Sequence, residues 1–169
     1  MSKRDKVPTK FVADAMLGSL ARKTRALGFD TSYYSEGDDE GILRVARSEG
    51  RVVLTADRSL AGHAHPCGAR ILLISGRSDG RRLASILIAA KEANVDLVRD
   101  GPRCSICGGA LQTLRRANVA GQVPLAVERR HRLFYRCLAC GHYFWKGSHW
   151  KKLRWLGRIL KEVPVANVS

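Results

Sequence analysis

Gly50-Arg51-Val52-Val53-Leu54-Thr55-Ala56-Asp57-Arg58 is the stretch that decides the fold. Arg51 to Thr55 is a short, β-branched and apolar run without polar alternation, the composition of a parallel strand buried on both faces. Asp57 follows just past its end. In open sheets of this kind the functional crevice lies beyond the carboxyl ends of the strands, so Asp57 stands where a site residue belongs. Working backwards, Asp38 or Asp39 caps a helix that carries Ile42, Leu43, Val45 and Ala46 and is closed by Gly50. Phe29 to Tyr34 reads as a strand. Ala15 to Leu27 has its apolar residues at helical spacing, with Gly28 as the stop. Lys10 to Ala13 is a first, half-apolar strand. Working forwards, Ser59 to Ala64 makes a short helix and Arg70 to Ile74 another buried strand. Arg82 to Ala93 is a helix with Leu83, Ile86, Leu87 and Ala90 on one face, and Val95 to Val98 a last edge strand. This alternation predicts an α/β domain with a parallel sheet, and right-handed crossovers place helices on both of its faces.

The chain has 169 residues, which suits one domain plus a small satellite. Its net charge is +15, from 30 Lys and Arg against 15 Asp and Glu. The excess is uneven. Residues 1–100 hold 17 basic and 13 acidic side chains, whereas residues 101–169 hold 13 basic and 2 acidic ones. A field of that sign favours a polyanion, with nucleic acid ahead of a membrane surface. No apolar run approaches the roughly 20 residues a spanning helix needs. The polar, basic start has no apolar core of a secretory signal, so the cytoplasm is the expected compartment.

Gly101-Pro102 marks a change of pattern. Cys104-Ser105-Ile106-Cys107-Gly108 and Cys137-Leu138-Ala139-Cys140-Gly141 are matching CxxCG units, with 29 residues between Cys107 and Cys137. Two residues between cysteines let both thiolates grip one ion, and two such units make a four-thiolate site. An iron–sulfur cluster, a redox pair or two disulfides are the alternatives. The symmetry and the cytoplasmic expectation favour a structural zinc ribbon formed by Cys104, Cys107, Cys137 and Cys140. The fifth cysteine, Cys67, lies between Pro66 and Gly68 and reads as free and without a role. The expected division is a flexible basic N-terminus over 1–9, the α/β domain over 10–100, the ribbon over 101–147, and a basic amphipathic helix and tail over 148–169.

Acids fall at the strand ends of the first domain. Asp14 follows the first strand, Asp38 and Asp39 the second, Asp57 the third and Asp79 the fourth. One of Asp38 and Asp39 is also needed as a helix cap, and Asp79 in Ser78-Asp79-Gly80 is equally a turn or cap residue. Two like charges within 4 Å repel by about 4 kcal/mol at an effective dielectric of 20. Such a cluster raises a pKa or recruits a cation. Hard oxygen ligands suit Mg²⁺ or Mn²⁺, ions that support phosphodiester hydrolysis.

Phe11-Val12-Ala13-Asp14-Ala15-Met16-Leu17-Gly18-Ser19-Leu20-Ala21-Arg22 resembles the opening of the PIN-like ribonuclease domain named for the C-terminal domain of the Mut-seven exonuclease. Leu27 to Thr31, Asp38-Asp39-Glu40, Gly50 to Arg58, the two CxxCG units and Tyr143 to Trp150 continue the likeness over about residues 10–155. The resemblance implies a PIN-like three-layer α/β/α fold with a central parallel sheet, and metal-dependent ribonuclease chemistry. It makes Asp14, Asp39 and Asp57 the acidic cluster holding Mg²⁺ or Mn²⁺, with Asp38 as substitute for Asp39. Thr55 orients a carboxylate or a bound water through its hydroxyl. Related sequences often place another acid two residues after the Thr-x-Asp aspartate. Here that position is Ser59, which leaves a fourth ligand to Asp79 or to water.

The C-terminal segment supplies the basic surface. Drawn as a helix capped by Ser148, it puts Leu153, Leu156, Ile159, Leu160 and Val163 on one arc and Lys151, Arg154, Arg158 and Lys161 on the other. Lys146, His149, Trp150 and Lys152 belong to the same stretch. Arg115, Arg116, Arg129, Arg130, Arg132 and Arg136 lie between the cysteine units. These residues are the candidate RNA contacts, with tRNA, rRNA or the ribosome as partner and no membrane. The expected function is a metal-dependent ribonuclease with a zinc-ribbon RNA-binding module. The alternative is a non-catalytic RNA-binding or ribosome-associated protein on the same scaffold.

Overall fold

A computed structural model of the protein describes residues 7–62 and 68–166. Lys10–Ala13 (β1), Asp30–Tyr33 (β2), Val52–Thr55 (β3) and Ile71–Leu73 (β4) form one parallel sheet in the order β2-β1-β3-β4. Phe11 stands opposite Thr31 on one side and Val52 on the other, and Val53 stands opposite Ile71. The helices are Gly18–Ala26 (α1), Asp39–Ser48 (α2), Arg58–Gly62 (α3), Asp79–Glu92 (α4), Leu125–Arg130 (α5) and Ser148–Ile159 (α6).

Successive strand residues point to opposite faces, and both faces of the two central strands are covered. Phe11, Ala13, Val52 and Leu54 pack with Leu17, Leu20 and Ala21, with Leu83 and Ile86 of α4, and with Leu156 of α6. Val12 and Val53 pack the other way, against Ile42, Leu43 and Ala46 of α2 and Leu60 of α3. The result is the expected three-layer α/β/α arrangement. It explains why Val52-Val53-Leu54-Thr55 carries no polar alternation.

The apolar arc of α6 completes the first of these cores. Leu156, Leu160 and Val163 are buried in it, and Leu153 and Ile159 pack at its edge. That arc is therefore occupied by protein. Trp155 lies across Gly80 so closely that a Cβ there would come within 2.9 Å of the indole. No helix among the described residues is long and apolar enough to cross a membrane.

The remaining strands, Leu111–Arg115 (β5), Leu133–Cys137 (β6) and Tyr143–Trp145 (β7), form an antiparallel sheet in the order β5-β6-β7. The two CxxCG turns meet at one end of it.

Four local expectations are revised. A 3₁₀ turn over Ala15–Leu17 precedes α1, because the Asp14 carboxylate takes the Ala15 N–H at 2.5 Å and the Asp14 carbonyl takes the Leu17 N–H at 2.8 Å. Helix α4 starts at Asp79 rather than Arg82, because the Ser78 hydroxyl caps the Arg81 N–H. Val95 to Val98 is not a strand. Its backbone bonds go elsewhere: the Val95 N–H donates to the Ala90 carbonyl at the end of α4 at 2.8 Å, the Thr9 N–H donates to the Val98 carbonyl at 2.9 Å, and the Thr9 hydroxyl accepts from the Val98 N–H at 2.8 Å. Ser148 opens α6 from inside the helix. The capping position is Gly147, whose N–H closes a tight turn onto the Trp145 carbonyl at 3.0 Å. Ala64 and Cys67 lie outside the described residues.

Candidate functional site

The strand order sets the acids along one edge of the sheet: Asp39 after β2, Asp14 after β1 and Asp57 after β3. Thr55 links two of them. Fully buried as the last residue of β3, it donates its hydroxyl to Asp14 Oδ2 at 2.8 Å. The same oxygen accepts the Asp57 N–H at 3.0 Å. Asp57 Oδ1 in turn accepts the Ser59 N–H at 2.7 Å. Asp14 and Asp57 are both half-buried and oriented by their neighbours. Each carboxylate oxygen has two lone pairs, so both groups keep acceptor capacity beyond these bonds.

Asp38 and Asp39 have separate roles. Asp38 is the N-cap of α2: its Oδ2 accepts the Gly41 N–H at 2.6 Å and its Oδ1 accepts the Tyr34 hydroxyl. The Tyr34 bond, then the Gly41 bond, hold its carboxyl below the usual carboxylate range, and the same contact raises the Tyr34 phenol. Asp39 sits in the first turn with its side chain exposed. Asp79 is tied elsewhere, to Lys23 at 3.2 Å and Lys152 at 3.5 Å. Sequence spacing could not separate the cap from its neighbour or foresee the two lysines.

The four cysteines do converge. Their Sγ atoms all lie within 4.8 Å of one another, and among the described residues no second group of three or more potential ligands gathers in this way. Cys104 and Cys140 are 3.7 Å apart and Cys107 and Cys137 3.4 Å. A tetrahedron with arms of about 2.3 Å has edges of about 3.8 Å, whereas a disulfide needs about 2.05 Å. The two turns repeat each other: the Cys104 N–H donates to the Gly109 carbonyl at 2.9 Å and the Cys137 N–H to the His142 carbonyl at 2.9 Å. Gly109 is required by space, since a Cβ there would lie 2.9 Å from Ala139 Cβ and 3.0 Å from Cys137 Sγ. Burial pushes the Cys104 thiol up to about 12. Burial also pushes Cys137 up, but N–H donors from Cys140 and Ala139 outweigh it and bring that thiol down to about 6. Soft sulfur donors in this arrangement can bind a zinc ion.

Arg25 is a residue that sequence reasoning missed. It is 6% exposed, and it joins the parallel sheet to the first cysteine turn. Its Nε donates to the Thr31 carbonyl at 2.6 Å and its Nη1 to the Ile106 carbonyl at 2.7 Å, inside the first cysteine turn. Burial lowers its pKa, while Cys107 and Cys104 pull it back up. Four thiolates around one divalent ion leave a net anion, and Arg25 supplies a nearby positive charge. In the sequence it was one arginine among many.

Arg115, Arg116, Arg129, Arg130, Arg132, Arg136, Lys146, Lys151, Lys152, Arg154 and Arg158 are all exposed, and Trp150 is half-buried. The Arg136 guanidinium lies 5.8 Å from the Tyr143 ring centre. The side chain of His149 lies outside the described residues.

Fold and site together define an α/β/α protein with acids along the carboxyl edge of a parallel sheet and, beside it, a four-cysteine cluster that could hold a metal ion. The sequence model of the family described as the Mut7-C RNAse domain matches residues 9–156, and the chain belongs to that family. Comparison with curated proteins and comparison with solved structures each found no match. Membership gives the protein a ribonuclease-type function, with RNA as substrate or partner.

Proposed function

We propose that the protein is a metal-dependent ribonuclease whose reacting edge is built by Asp14, Asp39 and Asp57. The observation that carries this reading is the Asp14–Thr55–Asp57 relay across adjacent parallel strands, with bonds of 2.8 and 3.0 Å. The donor set suits a hard divalent cation. Asp14 and Asp57 are fixed carboxylates with spare lone pairs, and Asp39 is a third whose side chain is exposed. Mg²⁺ or Mn²⁺, when bound there, supplies charge neutralisation at the phosphodiester and a more acidic water. The chain's own residues do the rest. Thr55 fixes the rotamer of Asp14 and the backbone entering Asp57, and Asp38 fixes the start of the helix that presents Asp39. Asp79 is committed to its lysines and takes no part as a ligand.

The four cysteines hold a structural zinc ion, which leaves no open position for substrate. The chain then divides in function into the nuclease layer over 10–100, the zinc ribbon over 101–147 and the basic helix over 148–169. The exposed arginines and lysines of the last two bind RNA phosphates, with tRNA, rRNA or the ribosome as candidate targets. A free four-thiolate site fits the reducing cytoplasm.

The test is cleavage of RNA in Mg²⁺ and in Mn²⁺ by the parent and by Asp14→Asn, with circular dichroism to establish that both are folded. Activity in the parent and its loss in the variant support the reading. Equal residual cleavage contradicts it. A second reading, RNA binding without catalysis, is favoured by Ser59 in place of a further acid and by carboxylates that do not gather as the cysteines do. It predicts no cleavage, together with RNA binding that weakens steeply as salt rises.

A further inference from the structure

Helix α1, the β5-β6-β7 sheet and helix α6 enclose a groove of about 590 Å³, in the range of roughly 300–1,000 Å³ that holds small ligands. Tyr135, Phe144, Trp145 and Trp150 line it, each only half-buried. Tyr135 and Phe144 stand directly opposite one another on β6 and β7, and Leu111 extends the apolar wall. Aromatic faces left open around one cavity mark a binding surface rather than finished packing.

The rim is cationic. Arg22, Lys23, Arg103, Lys146 and Lys152 line the groove, and no described carboxylate does. Lys23 and Lys152 share the single carboxylate of Asp79, and Arg103 pairs with Asp100. Among the described residues Arg22 and Lys146 have no carboxylate partner, and Arg103 Nε has no hydrogen-bond acceptor. The Lys146 ammonium lies 5.2 Å from the Trp150 ring centre, holding a positive charge against a stacking face.

Flat apolar faces inside a cationic rim match a planar, apolar group attached to phosphates. We infer that this groove takes an unpaired base of single-stranded RNA. The base stacks among Tyr135, Phe144, Trp145 and Trp150, and the flanking phosphates lie on Arg22, Lys146 and Lys152. A duplex keeps its base faces stacked on one another, so only an unpaired base offers this surface. The inference rests on the RNA reading given above and adds where and in what form the RNA is held. Asp79, in the first turn after β4, bonds both Lys23 and Lys152. It ties the groove rim to the carboxyl edge of the sheet, where Asp14 and Asp57 stand.

The experiment measures fluorescence anisotropy of a fluorescein-labelled oligouridylate with the full chain, without added divalent ion and with the RNA checked for integrity. The same oligonucleotide in duplex and uridine monophosphate are the comparison ligands. Single strands are expected to bind more tightly than the duplex and to quench tryptophan emission. Trp150→Ala and Arg22→Glu are each expected to weaken binding about tenfold or more. Arg47→Glu, the same charge change on α2 across the sheet, is expected to weaken it by no more than about twofold. Arg22 is exposed, so Arg22→Glu keeps the test decisive if Trp150→Ala fails to fold.

Parental binding by a folded Trp150→Ala and by Arg22→Glu would overturn the inference. So would an equal loss in Arg47→Glu, a duplex bound as tightly as the single strand, or uridine monophosphate bound as tightly as the oligonucleotide. The two readings separate cleanly. If Asp14→Asn cleaves like the parent while the groove variants lose binding, the nuclease reading falls and the groove stands. If the groove variants bind normally while Asp14→Asn stops cleavage, the groove alone falls.

Discussion

Replacing Arg25 with Met should uncouple the cysteine unit from the α/β layers. The side chain is 6% exposed and makes two short bonds, to the Thr31 carbonyl at 2.6 Å and the Ile106 carbonyl at 2.7 Å. A hydrogen bond from a charged donor contributes about 1.5–3 kcal/mol net, and a buried carbonyl left without a donor costs about 1–3 kcal/mol. Methionine fills much of the same volume and removes a buried charge, which offsets part of the loss. The expected destabilisation is therefore about 2–4 kcal/mol. At this chain length about 1 kcal/mol moves Tm by roughly 2–4 °C, so the melt should fall by about 5–15 °C. Losing a positive charge beside Cys104 and Cys107 should also weaken zinc binding by about tenfold or more, the range of second-shell effects. Arg25→Lys keeps the charge but not the fork, so it should fall between the two. Thermal melts by circular dichroism and zinc competition with a chelator measure both quantities. An Arg25→Met protein that melts within about 1 °C of the parent and holds zinc as tightly would refute the argument.

Three further outcomes follow from the same geometry. Gly109→Ala should lose its bound zinc in metal analysis and melt the β5-β6-β7 sheet, since the added Cβ meets Cys137 Sγ at 3.0 Å. Thr55→Val should cost about 1–3 kcal/mol in chemical denaturation, because Asp14 and the Asp57 N–H both lose a partner. It should also lower the cleavage rate at saturating RNA rather than raise KM. Asp38→Ala removes the cap of α2. Its folded-state pKa is held down by Tyr34 and Gly41, so the parent's advantage should be complete above the unfolded carboxyl value. That advantage should vanish as pH falls through the lower folded value; denaturation across a pH series that gives a pH-independent gap would contradict this.

Much of the fold was legible because it rests on local signals. The Val52–Thr55 run, the Gly28 and Gly50 stops and the paired CxxCG units each point one way. That Asp14 and Asp57 follow strands was legible; that each carboxylate also bonds a nearby N–H, Asp14 at Ala15 and Asp57 at Ser59, was not. What else the sequence concealed depends on partners distant along the chain. Val95 to Val98 has strand composition, but its backbone bonds go to Thr9 and to the end of α4 rather than to a strand. Asp79 reads as a strand-end ligand until α1 and α6 bring Lys23 and Lys152 to it. Arg25 is indistinguishable from solvated arginines until the first cysteine turn places its carbonyls over the guanidinium. Tyr135 and Phe144 become neighbours only through the antiparallel register of β6 and β7.

Asp57→Asn tests most directly the proposal that the carboxyl edge of the sheet performs the cleavage. Asparagine keeps an oxygen for the Ser59 N–H, so the fold should survive while the charge is lost. Measured on single-stranded RNA with Mn²⁺, the parent should cleave and the folded variant should be slower by about a hundredfold or more, a barrier change of about 2.7 kcal/mol. Cleavage at the parental rate by folded Asp57→Asn would contradict the account.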